Sequence, residues 1–257
     1  MIEFSETYAN LYDLFHADKD YQKESEDIIN LVRILKPTAT IQSILDMGCG
    51  TGKHLEVMTK LVLRCYGYDL SLGMLGIARK RCPEVEFYSQ IDAESLKVDL
   101  TVAMFDVVSY ILNQEQLESF FQIAFNQTRP GGYFYADSWN FEGVLNDPPR
   151  DVDRQVVLNK ERIVRRVRPQ TSEKSKLEFV SDGVSTLDIS LINLETNSAL
   201  THEIHKIKAW SPETVRKSLE NVGFEVIDLF SLKSKNQPPT REDFRFGVIA
   251  IRPANSV

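Results

Sequence analysis

The segment DMGCGTGKH, residues 46–54, decides the fold of this chain. It leaves a short apolar run, IQSILDM at 41–47, and enters a helical pattern that begins at Lys53. A glycine turn in this position lets a ligand approach bare backbone, and the N-terminus of the following helix favours negative charge. The segment therefore predicts a strand–loop–helix unit that binds a ligand, with a glycine turn that holds no ligand as the alternative.

Strand-like and helical segments alternate on both sides of this loop. The strand-like segments before residue 140 are 41–47, 64–69, 85–88, 100–108 and 133–137. The helical segments between them are 53–63, 72–80 and 114–127. Alternation at this spacing is typical of a parallel sheet with helices on both faces. With two further strand-like segments, 224–230 and 245–252, it predicts an α/β fold with a doubly wound, seven-stranded, mostly parallel sheet.

The alternation stops near residue 140. A polar, proline-bearing loop follows at 146–153, and then come three strand-like segments without helices between them: 155–167, 184–194 and 200–210. Such a run predicts an antiparallel insertion. We therefore divide the chain into a helical N-terminal cap at 1–40, an α/β core at 41–141 and 211–257, and an antiparallel insertion at 142–210.

Composition excludes several classes of protein. The 257 residues are 42% hydrophobic and 26% charged, which is ordinary for a globular chain and excludes a wholly disordered one. A net charge of −7 argues against a protein that binds nucleic acid through phosphates. No run approaches 18 apolar residues, so we expect no membrane span. Three cysteines without metal-ligand spacing (Cys49, Cys65 and Cys82) indicate reduced thiols in a cytoplasmic protein.

Spacing separates the ligands that such a glycine loop can bind. A dinucleotide loop, G-x-G-x-x-G, would need glycine where Lys53 stands. A P-loop would need glycine in place of Met47 and Ser or Thr in place of His54. The form D-x-G-x-G-x-G instead resembles motif I of the class I S-adenosylmethionine-dependent methyltransferases, in which the loop runs beside the methionine part of the cofactor.

Further positions extend this resemblance. Asp69 ends the second predicted strand, where a carboxylate can accept hydrogen bonds from both ribose hydroxyls, although a helix cap is the alternative. Ile91-Asp92-Ala93 stands where the family places an acidic residue near the adenine amine, and Met104-Phe105-Asp106 matches the next landmark. The resemblance implies a Rossmann-like methyltransferase fold and S-adenosylmethionine as cofactor, released as S-adenosylhomocysteine. The implied cofactor-binding residues are Tyr21, Asp46, Gly48, Cys49, Gly50, Asp69, Leu70, Ser71, Met74, Asp92, Ala93 and Met104.

Segments outside the core resemble one branch of this family. Tyr8-Ala-x-x-Tyr12-Asp13, followed by Lys19-Asp20-Tyr21-x-x-Glu24, is similar to the N-terminus of the sugar-nucleotide N-methyltransferases, which methylate the amine of dTDP-deoxyamino sugars. The resemblance implies that Tyr12 approaches the reacting amine. An amphipathic helix with half-buried tyrosines is the alternative.

Two more segments match that branch, and one position departs from it. Asp137-Ser-Trp139-Asn140-Phe141 implies that Trp139 and Asn140 contact the substrate, and Thr201-His-Glu203-Ile-His205 matches in the last segment of the insertion. The insertion resembles the antiparallel subdomain that covers the acceptor in that branch, which implies a substrate-binding insertion at 142–210. Where the branch tends to carry a histidine after the fourth strand, this chain has Tyr110. That departure leaves the substrate open.

The spacing of Glu203 and His205 indicates a catalytic pair. Residues two apart on a strand point to the same face, so both side chains could meet an amine or hydroxyl, with His205 as a base. A polar face in contact with solvent is the alternative. His202 points to the opposite face, which argues against a metal pair, and we predict no metal. The candidate catalytic residues are therefore Tyr12, Tyr110, Glu203 and His205.

The segment KERIVRRVR at 160–168 is strongly basic. Alternation places Arg162, Arg166 and Arg168 on one face and Arg165 on the other. The outer residues form either a solvated strand face or a binding surface for a diphosphate, since arginine suits bidentate contact. An RNA substrate would call for interleaved aromatic residues, which are absent here.

These observations predict a small-molecule methyltransferase. The favoured acceptor is the amino group of a nucleotide-linked sugar. The alternatives are an O-methyltransferase acting on a sugar or other metabolite, and a cofactor-binding regulatory subunit without turnover. An RNA methyltransferase is the weakest hypothesis, membrane association is not expected, and a homodimer is a possible assembly.

Overall fold

The computed structural model describes residues 5–38, 40–91, 96–170, 179–234 and 237–254. Its helices are α1 (Glu6–Phe15), α2 (Tyr21–Leu35), α3 (Lys53–Met58), α4 (Leu72–Arg81), a 3₁₀ helix (Val107–Tyr110), α5 (Gln114–Gln127), α6 (Phe141–Asn146) and α7 (Pro212–Asn221). Its strands are β1 (Ser43–Met47), β2 (Arg64–Tyr68), β3 (Glu86–Tyr88), β4 (Val98–Ala103), β5 (Thr128–Trp139), β6 (Val152–Leu158), β7 (Glu161–Pro169), β8 (Val184–Asn193), β9 (Ser198–Lys208), β10 (Glu225–Ser231) and β11 (Arg245–Ile251).

The helices begin where short polar side chains can cap them. A side-chain oxygen at the N-cap accepts a hydrogen bond from an otherwise unpaired backbone N–H of the first turn. Five helices begin in this way, at Ser5 (α1), Asp20 (α2), Ser71 (α4), Asn113 (α5) and Ser211 (α7). Local sequence therefore accounts for the start of five of the seven α-helices α1 to α7.

The larger sheet has seven strands in the order β10-β11-β5-β4-β1-β2-β3. Strands β1 to β5 pair in parallel, whereas β11 runs antiparallel to both β5 and β10. The predicted fold class is confirmed. The strand order reverses between β1 and β4, and ligands bind in the crevice at the carboxyl ends of strands at such a point.

Helices cover both faces of this sheet. On one face, buried side chains of α5 and α7 (Phe121 and Leu219 among them) pack against Phe134 and Phe246 of the sheet. On the other face, α2, α3 and α4 contribute a second apolar cluster around Ile44 and Leu100. None of the described helices is long and apolar enough to cross a membrane.

The fourth strand is shorter than the sequence predicted. Its apolar run extends to Val108, but β4 ends at Ala103 and the chain turns into a 3₁₀ helix. Phe105 and Asp106 both have φ of 65°, a left-handed conformation that cannot continue a strand. The apolar residues after the turn are buried by the 3₁₀ helix instead, which is why the pattern looked continuous.

The insertion forms a separate four-stranded antiparallel sheet, β6-β7-β8-β9. Helix α1 packs between this sheet and α4, and Tyr8, Leu11 and Phe15 share a buried cluster with Met74 and with the inner face of the insertion. The predicted segment 155–167 proved to be two strands joined at Asn159-Lys160. Both residues have positive φ, 51° and 71°, as a two-residue type I′ hairpin requires. The absence of glycine concealed this turn.

Lys160 provides a test of the hairpin geometry. A lysine in the left-handed region costs about 1 kcal/mol that glycine avoids, so Lys160→Gly should raise the free energy of unfolding by roughly that amount. Asn159→Gly is the control and should have a smaller effect, because asparagine tolerates this region. Urea unfolding of the three proteins measures the difference. A destabilised Lys160→Gly variant would contradict the turn assigned here.

Candidate active site

A pocket opens at the carboxyl edge of the larger sheet, between the glycine loop, the end of β4, helices α1 and α2 and the inner face of the insertion. Most of the residues singled out in the sequence line it. They are Tyr12, Tyr21, Gly48, Cys49, Gly50, Asp69, Leu70, Met74, Met104, Tyr110, Trp139 and His205. Asp92 and Ala93 lie outside the described residues.

The glycine loop follows a path that side chains would block. Gly48 has φ of +80°, and a Cβ built on it would lie 2.5 Å from Val107. Gly50 has φ of +54° and lines the pocket, with no atom within 4 Å of an added Cβ. The backbone N–H groups of Gly48 and Cys49 both donate to the carbonyl of Tyr68, at 2.6 and 3.0 Å. The loop is therefore tied to β2 while its tip borders open space.

Asp69 joins this loop to the next helix. Its carboxylate accepts hydrogen bonds from the backbone N–H of Gly50 and from that of Ser71, both at 2.8 Å. Burial raises the pKa of Asp69 in spite of these hydrogen bonds. Ser71 itself caps α4 through Met74 and lies outside the pocket wall that the described residues form, so its contact with the cofactor stays a prediction.

Asp46 lies behind the loop and is almost fully buried. Neither of its carboxylate oxygens has a hydrogen-bond partner among the described residues. Burial, with Asp69 and Asp137 nearby, raises the pKa of Asp46 to about 8. A buried acceptor without a partner is costly, so a water molecule, an ion or a bound ligand is expected to satisfy it. Asp46 does not itself line the pocket.

Two polar clusters fasten the N-terminal helices to the glycine loop. In the first, Asp13 accepts hydrogen bonds from Thr51 Oγ1 and from Arg81. In the second, Glu24 bonds Lys19 and also His54 Nε2, which lies 2.9 Å away. Burial would raise the pKa of Glu24, but the hydrogen bonds from His54 and Lys19 bring it down to about 2. The loop and the helices above it therefore form one connected unit.

Tyr21 lies beside the second cluster. Its ring packs edge-on against His54, with 4.8 Å between centroids. Its hydroxyl is buried and has no hydrogen-bond partner in the described part of the chain, and burial raises its pKa. The phenol is therefore neutral and available to a ligand.

Three side chains form a hydrogen-bonded row at the opposite wall. His205 Nδ1 lies 3.2 Å from the hydroxyl of Tyr110, and His205 Nε2 lies 2.9 Å from Glu203 Oε2. The other oxygen of Glu203 accepts from the backbone N–H and the hydroxyl of Ser5, at 3.1 and 2.5 Å. Burial alone would raise the pKa of Glu203, but the hydrogen bonds from His205 and Ser5 lower it overall.

This row shows that Glu203 and His205 face the interior of the protein. His205 is 1% exposed and lines the pocket, whereas His202 is on the other face of β9, with 55% of its side chain exposed, beside Asp188. The solvent-facing alternative is therefore wrong. Glu203 lies behind His205 and off the pocket wall formed by the described residues, so it holds the imidazole rather than reaching into the pocket.

Asn140 also differs from the expectation. Its side-chain amide donates to the carbonyls of Thr240 and Asp243, at 2.8 and 2.9 Å, and the residue is 1% exposed. It fastens the 240–243 turn to the start of α6 and is outside the pocket wall that the described residues form. Its neighbour Trp139 does line the pocket.

Sequence reasoning missed a cluster that shapes the end of β4. The backbone N–H groups of Phe105 and Asp106 donate to Asp137, and Arg245 pairs with Asp106 at 2.6 Å and with Asp137 at 3.2 Å. Burial and the nearby Asp137 raise the pKa of Asp106 to about 6, against the opposing effect of Arg245. Arg245 comes from β11, far along the chain, and no local pattern marks it.

His16 was missed as well. It lines the pocket, with its ring 4.5 Å from that of Tyr12 and 5.3 Å from that of Phe105. Burial, followed by the charge of Arg165, lowers its pKa to about 4. Within the described ranges no three His, Cys, Asp or Glu side chains come together in a way that could hold a metal ion, and the metal-free site stays a prediction.

Comparison with known proteins shows which family this chain resembles. A family model described as a methyltransferase domain matches residues 44–132. The chain is 34% identical over 180 residues to the dTDP-3-amino-3,4,6-trideoxy-alpha-D-glucopyranose N,N-dimethyltransferase of Streptomyces venezuelae, across 67% of this chain and 75% of that protein. It is 33% identical to the dTDP-3-amino-3,6-dideoxy-alpha-D-glucopyranose N,N-dimethyltransferase of Streptomyces fradiae, across 54% and 56% of the two chains.

Solved structures share the fold. Streptomyces venezuelae DesVI superposes with a TM-score of 0.77 and 23% identity, over 98% of this chain and 100% of that one. An S-adenosylmethionine-dependent methyltransferase from Clostridium acetobutylicum gives 0.75 and 22%, over 96% and 98%. The resemblance drawn from the sequence is confirmed. The chain belongs to the S-adenosylmethionine-dependent methyltransferases, in the family that includes the dTDP-amino sugar N,N-dimethyltransferases.

Proposed function

We propose that this methyltransferase acts on the amino group of a nucleotide-linked sugar. The observation that carries the proposal is the row Tyr110–His205–Glu203, which opens onto the same pocket as the glycine loop. A neutral amine must lose a proton for each methyl group that it gains, and this row ends in a partly buried carboxylate that can offset the charge. The names of the two Streptomyces relatives support the same acceptor.

The cofactor half of the pocket fits S-adenosylmethionine. Because Gly50 has no side chain, the cofactor can approach the backbone closely there. The carboxylate of Asp69 would accept hydrogen bonds from the ribose hydroxyls. The unpartnered carboxylate of Asp46 lies behind the same loop and would be stabilised by a positive charge nearby. The bound cofactor supplies a methyl group activated by a sulfonium, so the protein's main task is to align the acceptor and to exclude water.

The side of the pocket that holds Tyr110 and His205, its acceptor half, would bind the methyl acceptor and remove a proton from its amine. Burial raises the pKa of Tyr110, so its hydroxyl stays protonated and can donate to His205 Nδ1 while accepting from the acceptor amine. The proton then passes from the amine through the phenol oxygen to the imidazole, and Nε2–H remains bonded to Glu203. Glu203 fixes the tautomer and stabilises the imidazolium, as a positioning residue.

A sugar hydroxyl is the second candidate acceptor. The same row would deprotonate a hydroxyl, and Tyr110 stands where the sugar N-methyltransferases tend to carry a histidine. The relatives' names favour the amine. The cytoplasmic location and the homodimer stay predictions.

Replacing the carboxylate of Asp69 with the amide of asparagine tests its role. Asp69→Asn should weaken the binding of S-adenosylhomocysteine about tenfold to a hundredfold, because the ribose hydroxyls lose a charged acceptor. Asp99→Asn is a matched control, since Asp99 also accepts two backbone N–H groups (from Gln42 and Ser43, both at 2.9 Å) but lies away from the pocket. Calorimetric titration compares them. Equal affinities for both variants would remove Asp69 from the cofactor site.

The buried carboxylate of Asp46 predicts a pH dependence of stability. Its pKa rises from 3.8 in the unfolded chain to about 8 in the folded one, so the folded state holds the proton more tightly. Its stabilising contribution is complete below the lower value and is lost as the pH rises toward the higher one. Asp46→Asn should therefore stabilise the ligand-free protein at pH 7.5 by at least about 1 kcal/mol.

Urea unfolding from pH 5 to pH 8 measures this effect. The wild type should lose stability relative to Asp46→Asn across that range, and S-adenosylmethionine, which brings a positive charge, should bind the variant less tightly. Parallel profiles would show that Asp46 has a partner in solution.

His205 is tested against its neighbour on the opposite face of β9. His205→Gln should lower kcat about a hundredfold, because no base remains for the acceptor proton, while S-adenosylhomocysteine affinity stays within about twofold. His202→Gln should leave both unchanged. Methylation of a dTDP-amino sugar under saturating cofactor gives the rates. A turnover unaffected by His205→Gln would exclude the proton path proposed here.

A further inference from the structure

Arg165 differs from every other arginine of β7. Arg162 pairs with Glu195 at 2.9 Å, Arg166 lies 3.4 Å from Asp153, and Arg168 pairs with Asp153 at 2.6 Å. These three residues form the outer face of the insertion, where carboxylates already balance their charges. The outer face therefore offers no free basic stripe within the described residues.

The side chain of Arg165 points to the other face and lines the pocket. Its Nε donates to the hydroxyl of Tyr8 at 2.9 Å, and its guanidinium lies 5.9 Å from the centre of the Tyr8 ring. No carboxylate of the described residues forms an ion pair with it, and its two terminal nitrogens have no hydrogen-bond acceptor there. A half-buried guanidinium is thus held in place by a neutral phenol alone.

The apolar residues around Arg165 strengthen the attraction between its guanidinium and an anion. Leu187, Ile189 and Ile207 line the adjoining wall, and an apolar wall strengthens electrostatic attraction by excluding water. Burying a guanidinium without an anionic partner costs free energy, so the arrangement favours a ligand that brings the missing charge. The free edge of a guanidinium matches two oxygens of one phosphate or carboxylate.

We propose that Arg165, oriented by Tyr8, is the binding site for an oxyanion carried by the methyl acceptor. The proposal rests on the proposed function, since it concerns the acceptor half of the same pocket. The oxyanion is a phosphate of the nucleotide-linked sugar or, with the same chemistry, a carboxylate on the sugar. The enzyme would thereby reject neutral amino sugars before any methyl transfer.

Binding of small probes tests the site directly. Glucose, glucose 1-phosphate, glucuronate and dTDP are each titrated into the protein saturated with S-adenosylhomocysteine. The wild type should bind an oxyanion probe at least about tenfold more tightly than glucose, and Arg165→Gln should abolish that difference. Arg165→Lys, which keeps the charge but not the planar fork, should restore part of it.

Arg166→Gln is the matched control, because it removes a charge from the adjacent position on the outer face. It should leave probe affinity within about twofold of the wild type. S-adenosylhomocysteine affinity must be retained in all variants, which shows that the pocket is folded. Equal binding of glucose and the oxyanions, or an equal loss in Arg165→Gln and Arg166→Gln, would overturn the proposal.

The same titrations separate this site from the proposed function. Tighter binding of glucose 1-phosphate and dTDP than of glucuronate identifies a phosphate as the anion, and the reverse identifies a carboxylate. If Arg165→Gln methylates a dTDP-amino sugar with the wild-type KM, the oxyanion site is wrong and the function stands. If oxyanions bind through Arg165 but no amino sugar is methylated, the site stands and the proposed acceptor is wrong.

Discussion

The whole pocket depends on the path of the backbone at Gly48 and Gly50. Positive φ at both positions turns the chain sharply out of β1, and Gly48 passes so close to Val107 that any side chain would collide. Asp69 and the carbonyl of Tyr68 then fix the loop to β2, and Thr51 and His54 fix the N-terminal helices to the loop. A change of backbone direction here would displace the walls that meet above it.

Local signals account for the parts of the fold that the sequence predicted. Strand and helix periodicity, glycine spacing and cap residues such as Ser71 act within a few residues, so the α/β core was predicted correctly. The end of β4 was not, because its turn is held by Asp137 and by Arg245 from β11. No residue near Phe105 in the sequence indicates a left-handed backbone conformation.

In the candidate site, too, some features depend on local sequence and others on distant residues. The glycine loop and Asp69 follow two neighbouring parallel strands, β1 and β2, so the sequence could place them at the same edge of the sheet, and the resemblance to motif I then implied a cofactor site there. The orientation of His205 could not be predicted, because Ser5 of the N-terminal cap holds Glu203 from 198 residues away. Asn140 was named from its match to the family segment, but its side-chain N–H groups donate to the carbonyls of Thr240 and Asp243, about a hundred residues away, so its contact with the substrate stays a prediction.

Among the described residues, Asp46 and Arg165 are two ionisable side chains that have no partner of opposite charge. Asp46 lies behind the glycine loop without a hydrogen-bond partner among the described residues, and Arg165 lies on the insertion with only a phenol beside it. They belong to different elements and neither pairs with the other. A cationic cofactor and an anionic acceptor would each supply the charge that one of them lacks. Both side chains lack such a partner in the ligand-free chain, so ligands that supplied the missing charges would stabilise the folded state.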